Sequence, residues 1–141
     1  MFWLYFVILS YLAWHDLRTK RIPDSGNAVV LLLGVVHLIS IARYEFWIYA
    51  RSALASFLVF LMLLILAIVS NGGIGGGDIK LATGLTIPVA AIGIDQLILA
   101  WYVTALTTIP LAILLLFRKI AWKSEIPFGP CLAVGYLVGL M

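Results

Sequence analysis

Charge is scarce in this 141-residue chain, at 11% of residues, cysteine occurs once, and no polar run is long enough to build a soluble domain. Ordinary soluble domains carry about 25% charged and roughly 45–50% apolar residues. Here 65% are hydrophobic, which excludes water as the main solvent. The lone Cys131 excludes an internal disulfide and any multi-cysteine zinc site, and its apolar surroundings suit a small hydrophobe. The run from Met1 to Trp14 lacks the basic leading region and small-residue cleavage pattern of a secretion signal, so it reads as a retained first span. A net charge of +3 would suggest nucleic acid in a soluble chain. In an apolar one the positive-inside bias accounts for it, and membrane lipid is the expected partner instead.

What the chain has in quantity is apolar sequence. Segments at about 1 to 15, 27 to 42, 52 to 70, 79 to 94, 96 to 117 and 126 to 141 are separated by charge or Gly/Pro clusters. They predict an all-α polytopic membrane protein, one membrane-embedded domain over residues 1–141 with about six helices. The fourth, with Pro88 and Gly93, is expected to be short, broken or partly re-entrant. On alternate sides of this arrangement fall Arg18, Lys20, Arg21, Lys80, Arg118, Lys119 and Lys123 against Arg43 and Arg51. The larger set marks the cytoplasmic side and leaves both termini outside, as expected for a multi-pass protein of the inner (plasma) membrane. Trp3, Tyr5, Trp14, Trp47, Tyr49, Trp101 and Trp122 lie near helix ends and read as an interfacial belt. Gly135 and Gly139 form a small-residue pair that lets another helix approach α-carbon to α-carbon, by default within the bundle.

Helix parity sets Asp16, after the first helix, and Asp78, after the third, on the same cytoplasmic side. About fifteen apolar residues at ~1.5 Å each span roughly 22 Å of a core about 30 Å thick, so Asp16 falls at or just beneath the interface. An acid at that depth is costly unless paired or functional. Asp16 alone also reads as a charged helix end, with Lys20 four residues on as a surface partner. Asp78 is preceded by five glycines among residues 72–77, which let a substrate chain approach the backbone closely beside a carboxylate at a helix start. A phosphate loop is excluded, because no Gly-Lys-Ser/Thr occurs.

Two adjacent carboxylates share a proton, so one takes a proton from water while the other protonates a carbonyl oxygen. Such a dyad needs no metal and no cofactor. His15 beside Asp16 lacks further ligands on its face, since His37 is expected toward the opposite side. Ser25 and Ser70 have no histidine placed as a base. Asp95 and Glu45 read as solvated positions on the outer side, and Asp24 as a cap of the second helix.

In three motifs the chain resembles the aspartic prepilin peptidases, the Gly-x-Gly-Asp membrane proteases that mature type IV pilin-like precursors. Asp16 is followed six and seven residues later by Ile22-Pro23; Gly75-Gly76-Gly77-Asp78-Ile79-Lys80 matches Gly-x-Gly-Asp-x-Lys; and Pro127-Phe128-Gly129-Pro130 matches a late Pro-Phe-Gly-Pro. The resemblance implies Asp16 and Asp78 as the catalytic pair, with Gly75, Gly77, Lys80, Ile22, Pro23, Pro127, Gly129 and Pro130 in support. It implies Lys80 as an electrostatic neighbour of Asp78 or a headgroup anchor, and Pro127 to Pro130 as shaping the start of the last helix. Relatives often carry Asn where this chain has Asp24, which adds a third acid near the site. The chain starts at its first helix without the Cys-x-x-Cys region or methyltransferase portion of longer relatives, and so resembles the short, peptidase-only form serving tight-adherence Flp pili. The implied reaction is removal of a short basic leader from pilin-like precursors. An archaeal preflagellin peptidase, a small proton-coupled transporter and an inactive assembly scaffold are the alternatives, and the sequence leaves the oligomeric state open.

Overall fold

The structure, a computed structural model, describes residues 2–19, 22–43, 45–69, 74–117 and 128–141, with side chains left undescribed at 111, 112 and 114–117. Six helices follow one another: α1 Phe2–Thr19, α2 Asp24–Ala42, α3 Phe46–Val69, α4 Gly76–Ile92, α5 Ile94–Phe117 and α6 Gly129–Gly139. The protein is all-α, as its apolar segments predict. Their ends differ from those predictions in instructive ways. α1 runs past residue 15 because nothing breaks it before Pro23, and Arg18 in its last turn suits the negative end of the helix dipole. Arg18 also sits 4.6 Å from the centre of the Trp14 ring, one turn back.

Arg51 was expected to precede α3 but lies inside it. Its guanidinium reaches across and donates to the Ala91 carbonyl at 2.7 Å, closing the C-terminal turn of α4. α4 is short, as expected, yet unbroken: it continues through Pro88 to Ile92. Proline removes the N–H that the Gly84 carbonyl would accept. That carbonyl instead faces the backbone of α2, where a Cβ built on Gly34 would lie 3.0 Å from Gly84 O and 3.2 Å from Pro88 Cδ.

α4 is the central helix, in contact with α2, α3, α5 and α6, while α1 packs chiefly on α6. Leu9 and Leu12 of α1, Leu81, Leu85 and Val89 of α4, and Leu132 of α6 are buried in one core. The Thr86 and Tyr136 hydroxyls meet at 2.8 Å and tie α4 to α6. Two expected belt residues lie within the bundle: Tyr5 is buried and stacks on His37, and half-buried Trp101 sets its ring edge against Tyr136. Their rings are large enough to fill inter-helix space, which outweighs the interfacial preference. Trp3, Trp14 and Trp47 remain exposed, and Trp122 is outside the described residues. Cys131 is buried in α6.

Among the described residues two helices, Asp24–Ala42 and Phe46–Val69, are long and apolar enough to cross a membrane, and only 22% of each window is buried within the bundle. The core helix of a soluble protein would be mostly buried. Leu54, Phe57, Leu58, Ile65 and Ile68 of α3 point outward instead, an apolar surface suited to lipid.

The Gly135/Gly139 pair faces α5. A Cβ at Gly135 would overlap the Thr104 hydroxyl and stand 2.5 Å from Ala100 O; one at Gly139 would stand 2.8 Å from the Ala100 methyl. The pair thus serves packing inside the bundle. Gly135→Ala is expected to lower stability by about 1–3 kcal/mol, the usual cost of overpacking, read as a lower thermal midpoint in detergent. An unchanged midpoint would contradict this contact.

Candidate active site

Asp16 sits in the last turn of α1 and Asp78 in the first turn of α4, and both are buried, at 4% and 9% exposure. Burial of acids in so apolar a chain calls for a function or a built environment. The environment is assembled from four chain segments. The Asp16 carboxylate lies against the first residue of α6, where a Cβ on Gly129 would be 2.7 Å from Oδ2 and 3.2 Å from Cγ. Only a glycine admits that approach. The same Cβ would be 3.3 Å from the Ile22 side chain. Ile22 in turn covers Gly77, whose Cβ would lie 3.1 Å from Ile22 Cβ and 3.4 Å from its carbonyl oxygen. Ile22 therefore bridges the segment carrying Asp78 to the segment touching Asp16.

The glycine run now has a local explanation. Gly75 is the N-cap of α4 in extended conformation, and its carbonyl accepts the N–H groups of Asp78 at 3.1 Å and Ile79 at 3.3 Å. The helix begins inside the run, three residues before the expected start, and presents Asp78 in its first turn. The carboxylate turns back over the cap, since a Cβ on Gly75 would be 3.3 Å from Asp78 Oδ2. Beside Gly76 there is open space, with nothing within 4 Å of a Cβ. Gly72 and Gly73 lie outside the described residues.

Pro23 ends the link after α1 and becomes the N-cap of α2, its carbonyl accepting from Gly26 at 3.0 Å and Asn27 at 3.2 Å. The expectation that Asp24 caps α2 is corrected: Asp24 is the first helical residue, and no side-chain cap bond forms. Its carboxylate pairs with Lys80 at 2.7 Å across 56 residues of sequence. The pair links the starts of α2 and α4 at the rim. With 59% and 80% of the side chains exposed, it is screened by water. Asp24→Asn is accordingly expected to cost at most about 1 kcal/mol of stability, measured by thermal unfolding in low salt; a larger loss would mean the pair is better shielded than its exposure indicates.

One residue at the site escaped the sequence reading. Asn27, buried at 7% exposure in the first turns of α2, donates from Nδ2 to the Gly77 carbonyl at 3.3 Å. Its signal was an amide at the start of an otherwise apolar helix, easily taken for a capping residue.

Of the remaining expected positions, Pro130 is in the first turn of α6, where proline is tolerated, and Pro127 lies outside the described residues, as do Lys20, Arg21, Ser70, Arg118, Lys119 and Lys123. His15 is held by Thr19, whose hydroxyl meets Nδ1 at 3.0 Å. His37 stacks on Tyr5 in the far half of the bundle, and Asp95 and Glu45 are exposed at that same end. Among the described residues, no three His, Cys, Asp or Glu side chains converge as a metal site requires.

Comparison with curated proteins and with solved structures found no significant match. The sequence pattern of a peptidase family does match, over residues 3–116, a stretch that includes both buried aspartates and ends before α6. A match over that much of the chain establishes kinship: this protein belongs to the type IV leader peptidase family.

Proposed function

We propose that the chain is an aspartic endopeptidase that removes the short basic leader of type IV pilin-like precursors at the cytoplasmic membrane face. The observation that carries this reading is the burial of Asp16 and Asp78 in segments joined through Ile22 and Gly129. Family membership favours peptide hydrolysis over proton-coupled transport.

In this reaction a precursor helix docks from the lipid, and its extended scissile segment enters beside the open backbone at Gly76. One aspartate, as carboxylate, takes a proton from water while the oxygen attacks the scissile carbonyl. The other, as acid, protonates the carbonyl oxygen. Collapse of the tetrahedral intermediate breaks the C–N bond: the aspartate that took the proton from water passes it to the leaving amine, and the other takes back the proton of the diol hydroxyl. The two helix ends support different roles for the partners. Asp78 stands at the N-terminus of α4, where the dipole favours negative charge, and Asp16 at the C-terminus of α1, where it does not. This assigns Asp78 as base and Asp16 as acid. Gly75 and Gly77 shape the approach to Asp78, Ile22 forms the bridge with Pro23 starting α2 behind it, and Gly129 seats the Asp16 carboxylate with Pro130 in the first turn of α6. No metal or cofactor enters the scheme.

The test is co-expression with a type IV prepilin and, separately, an archaeal preflagellin. Leader loss from the prepilin supports the proposal, loss from the preflagellin alone favours the related archaeal activity, and loss from neither refutes both.

A further inference from the structure

The strongest unassigned feature is Asn27. A carbonyl oxygen only accepts, so its bond to Gly77 O fixes the amide with Nδ2 toward α4 and Oδ1 away. Oδ1 is buried without a hydrogen-bond partner among the described residues. Leaving a buried acceptor unsatisfied costs stability. The Gly77 carbonyl does not need the amide either, because a carbonyl in the first turn of a helix accepts the N–H four residues on. The net stability an asparagine adds here is therefore small. Its one described side-chain bond goes to the backbone immediately before Asp78. Asn27 lies on the same side of α2 as Asp24, one turn away, and Gly77 stands one turn before Lys80, so two links join the first turns of α2 and α4. Of the two, the exposed ion pair is screened and the amide link is buried.

We infer that Asn27 is a positioning residue: by holding the Gly77 carbonyl it fixes the first turn of α4, and with it the aim of the Asp78 carboxylate. The inference rests on the reading of Asp78 as catalytic. Loss of the link leaves the precursor's binding surface in place and misaligns the base. Small misplacements of a catalytic group cost on the order of ten- to a hundredfold in rate.

The experiment uses the full chain in detergent with a purified type IV prepilin carrying a basic leader. Asn27→Leu is branched at the same atom as asparagine and removes the unsatisfied acceptor, and Asn27→Ala serves should leucine overfill the site. The expected result is a kcat lower by about tenfold or more, a KM within about twofold of the parent, and a thermal midpoint unchanged or raised. That combination separates positioning from a purely structural role, in which stability falls with activity. An unchanged kcat, a raised KM with kcat intact, or activity lost in step with thermal stability would overturn the inference. Failure of the parent chain to cleave would overturn the peptidase reading, and this inference with it, before any variant is compared.

Discussion

Asp78→Asn reduces precursor cleavage by at least about a thousandfold, and Asp16→Asn by a comparable but smaller factor. Replacing a carboxylate that only orients a catalytic base by its amide costs about 10⁴ in another hydrolase whose geometry is retained, and a carboxylate that itself moves the proton is expected to matter no less. The two positions differ in what the amide preserves. An Asn at the position of the acid still offers an N–H to the carbonyl oxygen, although it has no proton to give. At the position of the base it leaves nothing to deprotonate water. Single-turnover rates on one precursor measure both losses, and a deeper loss at Asp16 would reverse the roles assigned from the helix ends.

Gly129→Ala is the second large effect. Its methyl would stand 2.7 Å from Asp16 Oδ2, closer than any real Cβ contact, and 3.3 Å from the Ile22 side chain. Either the carboxylate swings away or α6 lifts from α1; each moves the acid relative to Asp78. We expect turnover to fall by about ten- to a hundredfold, since displacement of a catalytic group by about 1 Å has that consequence. A helix-start alanine is otherwise well tolerated, so the thermal midpoint should shift far less than activity. Parallel loss of fold and activity would mean that Gly129 serves α6 packing rather than the Asp16 seat.

The sequence made Asp16 and Asp78 conspicuous for a physical reason: in so apolar a chain, an acid beside a helix break stands out against its surroundings. The glycine run marked the start of α4 because little else explains so many glycines together. The relations between segments were not legible. Asp24 reads locally as a helix cap, and only the proximity of the α2 and α4 starts turns it to Lys80. Arg51 reads as a helix boundary until Ala91 O, 40 residues away, is seen to take its guanidinium. Asn27 and Gly129 are likewise defined by distant partners, the Gly77 carbonyl and the Asp16 carboxylate. Local propensity and periodicity carry no information about those pairings, whereas the hydrophobic segments predict about six helices, and six are found among the described residues.

The central claim is that Asp16 and Asp78 act together on a leader peptide. The most direct measurement is the intact mass of a type IV prepilin co-expressed with the parent chain, with Asp16→Asn and with Asp78→Asn, each variant first shown to reach the membrane in parental amount. The account predicts a mass loss equal to the leader with the parent chain and full-length precursor with either variant. Leader removal undiminished in either variant would contradict it.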